Sequence, residues 1–132
     1  MSQKETNPRQ SAGVAFVINK GIVTFTDLQM VKLFKGRAQA IKLNWNNQGE
    51  IRLINIYVPN QRNEHTFFWN TAQLQLLQAD FGNPDFVLGD FNVTEEPIDR
   101  VPLKQDNTNA IVALRDAKNF LGVRDKWRHA FP

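Results

Sequence analysis

The segment Gly89-Asp90-Phe91-Asn92 contains residue types whose spacing could do chemistry. It directly follows the apolar residues 86–88, which are typical of a buried strand. Side chains alternate along a strand, so we expect Asp90 and Asn92 to emerge on one side while Phe91 turns into the packing. A carboxylate that takes a proton from water, beside an amide that donates to phosphate oxygens, could support phosphodiester hydrolysis. The alternative is that these residues only form a turn at the end of a strand.

A second polar group lies in residues 55–60. Asn55 and Tyr57 share one face of a predicted strand, whose other face is apolar. The Tyr57 hydroxyl and the Asn60 amide, at the strand exit, could donate hydrogen bonds to phosphate oxygens. The alternative is a half-exposed tyrosine followed by a Pro-Asn turn. Neither polar segment is decisive alone.

Hydrophobic periodicity and turn residues predict the elements that hold these segments. Predicted strands cover residues 12–18, 22–25, 30–34, 38–45, 51–58 and 86–88, and predicted helices cover residues 64–81 and 109–121. Turns at residues 35–36 and 46–49 make the middle of the chain an antiparallel meander. The wholly apolar run 86–88 is expected to be a central strand covered on both faces. This mixture of strands and helices indicates an α+β layered domain.

The apolar residues of the two predicted helices are expected to face the core. They are Phe67, Leu74, Leu77 and Phe81 in the first helix, and Ala110, Leu114, Ala117 and Leu121 in the second. Residues 106–108 offer N-terminal caps, and Gly122 ends the second helix. The aromatic residues 67–69 are interpreted as core rather than as a base-stacking platform. His65, at the start of the first helix, is predicted to be exposed.

Length and composition bound the class of protein. The 132 residues, 42% of them hydrophobic, suit one globular domain. The net charge of +3 favours polyanionic partners without demanding them. The absence of cysteine excludes disulfides and thiolate metal sites, and the polar residues 1–10 do not form a signal peptide. No run reaches the roughly 20 apolar residues of a membrane span, so we expect a soluble, intracellular protein.

In their order and placement, the two polar segments resemble the endonuclease/exonuclease/phosphatase superfamily. Residues 11–17 look like the Gly-rich strand of that superfamily. Gly36-Arg37-Ala38 and residues 93–100 are similar to the endonuclease domains of LINE-type (non-LTR) retrotransposons. The resemblance covers most of the chain. It implies a layered β-sandwich core flanked by helices, which in the complete domain is a four-layer α/β sandwich.

The resemblance also implies roles for individual residues. Asp90 would be the water-orienting base, and Tyr57 a contact to the phosphate or the transition state. Asn92 and Asn60 would be phosphate-site amides, with Asn55 and Arg100 as further substrate-binding residues. The implied cofactor is Mg²⁺, with Mn²⁺ as the alternative, and the implied partner is DNA, which adds the nucleus as a possible location.

The sequence departs from the family pattern at both ends. The family has a metal-binding glutamate before the Gly-rich strand and a Ser-Asp-His group near the C-terminus. Here Glu5 is interpreted as a solvated charge and His129 as a surface residue, so no metal ligand is assigned. We therefore predict a flexible segment at residues 1–10 and a partial, weakly active or inactive domain at residues 11–132. The alternatives are a non-catalytic remnant that binds nucleic acid weakly and a phosphatase of a small phosphorylated substrate.

Overall fold

The structure is a computed structural model that describes residues 13–19, 23–45, 49–95 and 106–125. Its strands are β1 (Val23–Phe34), β2 (Ala38–Trp45), β3 (Glu50–Tyr57) and β4 (Phe86–Asp90). Its helices are α1 (His65–Gln78), preceded by a 3-10 turn at Arg62–Glu64, and α2 (Thr108–Leu121). The chain is therefore of the α+β class, as the sequence predicted. The expected roles of residues 1–10, Arg100 and His129, and the turn at residues 46–48, lie outside the described residues.

The four strands form one sheet in the order β1-β2-β3-β4. β1, β2 and β3 pair antiparallel, which confirms the predicted meander, and β4 pairs parallel with β3. The turn between β1 and β2 is closed by a hydrogen bond of 3.0 Å from the Arg37 N–H to the Phe34 carbonyl. α1 makes the crossover between β3 and β4, since parallel neighbours cannot be joined by a tight turn.

The first predicted strand, residues 12–18, is not a strand in its described part. Residues 13–19 are irregular, with Phe16 and Ile18 packed against Ile41 and Leu43 and with Val17 fully exposed. β1, by contrast, is longer than predicted and carries an irregularity between Thr24 and Gln29. The described part of the chain thus contains one sheet, with the irregular residues 13–19 packed on one face, in place of a second sheet.

β4 was expected to be central and covered on both faces, and this prediction was wrong for the described part of the chain. β4 lies at the edge of the sheet, where Phe86 is 53% exposed and Leu88 is 50% exposed. Only Val87, between them, points to the face that the helices cover and packs against the core there. An apolar run therefore need not be covered on both faces.

The buried side of α1 also differs from the prediction. Phe67, Leu74 and Leu77 are exposed, and Phe81 is buried but lies beyond the helix end. The buried residues of this helix are instead His65, Phe68, Trp69, Ala72 and Leu76. Apolar residues occur on opposite sides of this helix, so periodicity could not choose between them. Contacts with β1 and α2 made the choice.

α2 begins one residue before the predicted start, ends at the predicted residue and buries the predicted side. The Asn107 side chain accepts a hydrogen bond of 3.0 Å from the Ala110 N–H, and Gly122 ends the helix in the left-handed conformation. All four residues predicted to face inward are buried: Ala110, Leu114, Ala117 and Leu121. Both helices cover the same face of the sheet, where the main core lies. Neither is long and apolar enough to cross a membrane.

Candidate functional site

The carboxyl ends of β3 and β4 bring the two polar segments together. Tyr57 and Asp90 are register partners on these neighbouring parallel strands. Register partners project to the same face of a sheet, here the face opposite the helices. Both side chains are exposed. Residues that are 33 positions apart in sequence therefore share one surface.

Gly89 allows β4 to lie this close to β3. Its φ is +137°, and a Cβ atom at this position would lie 1.9 Å from the Ile56 carbonyl oxygen. No side chain fits such a space, because the obstacle is backbone. The glycine before Asp90 is thus a structural requirement of the strand pairing that brings Asp90 beside Tyr57.

The chain leaves β4 in a tight turn rather than as a continuing strand. The Asp90 Oδ1 atom accepts a hydrogen bond of 2.9 Å from the Asn92 N–H, and Asn92 has a φ of +52°. The Asn92 Nδ2 atom donates to the Val58 carbonyl at 2.6 Å. Phe91 turns inward as expected and stacks on Trp69, with ring centroids 6.3 Å apart. Asn92 therefore fixes the loop after β3 against the turn after β4.

Arg37 is a neighbour of Tyr57 that sequence reasoning did not assign to the site. Its guanidinium carbon lies 5.0 Å from the centroid of the Tyr57 ring, a cation–π contact. Its Nη1 atom donates to the Tyr57 carbonyl at 3.3 Å, and its own carbonyl accepts from the Tyr57 N–H at 2.7 Å. Its position at the end of the β1–β2 turn could have suggested proximity to Tyr57 only once the strand order was known.

The other predicted binding residues are placed differently. Asn60 is exposed on the loop after β3, near Tyr57 in sequence. The Asn55 Nδ2 atom donates to the Ala15 carbonyl at 3.0 Å, so this amide holds residues 13–19 on the sheet. The contact makes Asn55 a structural residue in the described chain, although it shares the Tyr57 face as predicted.

An ion pair between Arg62 and Asp106 lies beside this turn. The Arg62 Nε and Nη2 atoms each donate to the Asp106 carboxylate at 3.1 Å, and Nη1 donates to the Asn60 carbonyl at 2.9 Å. Asp106 also accepts from the N–H groups of Thr94 and Asn107. Its side chain is 5% exposed, and the Arg62 hydrogen bonds hold the pKa of Asp106 well below its ordinary value. The pair connects the loop after β3, the turn after β4 and the start of α2.

His65 was predicted to be exposed, and the structure corrects this. It is completely buried, with Nε2 placed 2.7 Å from the Pro59 carbonyl, so the neutral ring with hydrogen on Nε2 donates this bond. Burial lowers the pKa of His65. The bond ties the first turn of α1 to the loop that carries Asn60, a contact that no local sequence pattern indicated.

A shallow pocket of about 500 Å³ opens at this end of the sheet. Its lining residues are Arg62, Gly89, Asp90, Phe91, Asn92, Val93, Thr94 and Asp106. The described residues contain no group of three or more His, Asp or Glu that could hold a metal ion. The second carboxylate of the pocket, Asp106, is already bonded to Arg62 and two N–H groups. Asp90 is then the pocket carboxylate that keeps an oxygen unengaged among the described residues. Mg²⁺ is commonly held by one or two carboxylates together with substrate phosphate and water, so the implied cofactor stays a prediction.

Comparison with protein-family models gives no match for this chain, and comparison with curated proteins gives none either. The resemblance to the endonuclease/exonuclease/phosphatase superfamily thus rests on the sequence motifs, and it stays a prediction.

Proposed function

We propose that the chain carries the substrate-facing part of a phosphodiesterase site of the endonuclease/exonuclease/phosphatase type, with the DNA backbone as substrate. The observation that supports this most is the pairing of Tyr57 with Asp90 at the carboxyl ends of β3 and β4, beside the turn of Asn92. The phenol and the carboxylate lie on the same exposed face, and the half-buried Asn92 follows in the turn bonded to Asp90.

Each residue has a role in hydrolysis that its geometry allows. The Asp90 Oδ2 atom has no protein partner among the described residues, so it can orient a water molecule and accept its proton. The water oxygen then bonds to phosphorus as the ester oxygen departs. The Tyr57 hydroxyl can donate to a phosphate oxygen, and Asn92 keeps one amide hydrogen that the Val58 carbonyl does not use.

The rate of hydrolysis by this chain is expected to be limited. Members of the superfamily that the motifs resemble use Mg²⁺, and the described residues contain no group of three or more His, Asp or Glu for such an ion. We expect slow hydrolysis by the chain as it stands. None of these residues stabilises the charge of the transition state as a metal ion would. The lack of an acidic cluster in the described part of the chain favours a second candidate function, weak nucleic-acid binding without catalysis. The exposure of Tyr57 and Asp90 favours a polymer over a small phosphorylated substrate, which a closed cavity would enclose.

The test is a pair of assays on the full chain, wild type and Asp90→Asn. The first measures binding to a short DNA duplex, and the second measures nicking of supercoiled plasmid with Mg²⁺. Asp116→Asn, an exposed carboxylate on α2, is the matched control. We expect both variants to bind DNA, and Asp90→Asn alone to lose the slow nicking.

Three results separate the candidates. Nicking by wild type and by Asp116→Asn, but not by Asp90→Asn, supports the enzyme. Binding with no nicking by any of the three proteins supports the non-catalytic candidate. Failure of the wild type to bind DNA at low salt contradicts both.

A further inference from the structure

Arg37, Tyr57 and Asp90 form a row across three adjacent segments of the sheet. Ala38 and Ile56 are register partners, and the Tyr57 N–H bonds to the Arg37 carbonyl, so Arg37 lies level with Tyr57. Tyr57 in turn lies level with Asp90. The row therefore places a cation, a phenol and a carboxylate side by side at one end of the sheet.

Arg37 keeps its positive charge uncompensated in the described part of the chain. Three other arginines pair with carboxylates: Arg52 with Glu50, Arg62 with Asp106, and Arg115 with Glu95. Arg37 contacts the Tyr57 ring and the Tyr57 carbonyl instead, and neither contact neutralises it. Only Nη1 is engaged, which leaves donors on Nε and Nη2 of a guanidinium that has five N–H groups.

These contacts hold the guanidinium in place before any ligand arrives. A fixed guanidinium loses little side-chain freedom when it binds a phosphate, and it presents two parallel donors to two oxygens. The neighbouring Asp90 carboxylate repels a phosphate, and a cation in the same row offsets that repulsion. The position at Tyr57 is thus where a phosphate would be held.

We infer that Arg37 is the phosphate anchor of this site, binding the oxygens of the phosphate group that the Tyr57 hydroxyl contacts. This assignment rests on the proposed function, and it names the residue that supplies affinity rather than proton transfer.

The salt dependence of DNA binding tests the anchor directly. Each phosphate contact made by a cation contributes about one to the slope of log affinity against log salt. Arg37→Gln should lower this slope by about one and weaken binding about tenfold at low salt. Arg37→Lys should keep the slope. Lys42→Gln removes the same charge from the helix-covered face of β2, over the Phe81 ring, and should leave the slope unchanged.

A measurement on the wild type covers the case in which Arg37→Gln does not fold. The Nε–H resonance of Arg37, assigned from its absence in the Arg37→Lys spectrum, should shift when the duplex is added. Titration with inorganic phosphate should shift the same resonance if a free phosphate group is enough for binding. A shift with either ligand supports the anchor, and the two titrations show which source of phosphate is preferred.

The outcomes distinguish this inference from the function beneath it. A wild type that binds DNA, with an unchanged slope in Arg37→Gln or an unmoved Arg37 resonance, overturns the anchor and leaves the proposed function intact. A wild type that binds neither DNA nor inorganic phosphate overturns both.

Discussion

The two faces of the four-stranded sheet differ in what covers them and in what they offer. On the helix-covered face of β3, Ile54 and Ile56 are at most 2% exposed. On the other face of the same strand, Tyr57 is 37% exposed and lies beside the exposed Asp90. Because side chains alternate along a strand, a shift of one residue separates the two environments. Adjacent positions of one strand can therefore serve stability and chemistry separately.

The difference has an energetic basis. Full burial of a large apolar side chain contributes about 1.5–3 kcal/mol, and the covered face has many such residues. The exposed row gains little from burial, so its residues are free to be polar. Substitutions on the covered face should change the free energy of unfolding, and those in the exposed row should change ligand binding.

The largest expected effect comes from two adjacent phenylalanines of α1. Phe68 is fully buried between the helices and the sheet, whereas Phe67 is 67% exposed. Phe68→Ala should lower the free energy of unfolding by about 3–5 kcal/mol, because it leaves a cavity. Phe67→Ala should cost less than about 1 kcal/mol. Urea unfolding of both variants measures this, and equal losses would contradict the assigned buried side of α1.

An intermediate effect is expected at Asp106, which supports the turn after β4 from the covered side. Asp106→Asn weakens the pair with Arg62 and should lower the free energy of unfolding by about 2 kcal/mol at neutral pH. Asp116→Asn, exposed on the same α2, should change it by less than about 0.5 kcal/mol.

The pH dependence of that effect has a defined sign. The folded pKa of Asp106 is lowered from 3.8, so on acidification the unfolded chain takes up the proton first. The stabilisation by Asp106 is then present above about pH 4 and is lost as the pH falls further. Unfolding curves of wild type and Asp106→Asn should converge in acid. A gap that stays constant down to acid pH would show that the charge of Asp106 is not what stabilises the turn.

The smallest effect on stability is expected in the exposed row. Asp90→Asn keeps an oxygen that can accept the Asn92 N–H, so the free energy of unfolding should change by less than about 0.5 kcal/mol. Thermal melts of the same samples used for nicking would measure this. A loss comparable to that of Asp106→Asn would mean that the exposed face also contributes to folding, and the contrast between the faces would fail.

The sequence predicted elements best where the signals were local. α2 has a capping residue, a one-sided apolar pattern and a terminal glycine, and its end, its start to within one residue and its buried side were confirmed. The meander was confirmed because turn residues separate its strands. α1 was predicted as a helix but with the wrong side buried, since its two apolar sides gave no preference. The same limit applies to His65, whose partner is a carbonyl at Pro59.

In the candidate site, too, some features follow from local sequence and others from contacts between distant segments. Residue order alone determined the polar segments at Tyr57 and at Asp90, the inward turn of Phe91, and the glycine before the carboxylate. Tertiary structure decided that β3 and β4 pair in parallel register and that Arg37 joins their row. It also decided that the turn after β4 is supported by Asp106, which follows Thr94 by 12 residues. Caps, turns and alternation act over a few residues and can be recognised in sequence. Strand order and packing depend on contacts between distant segments, which no local pattern encodes.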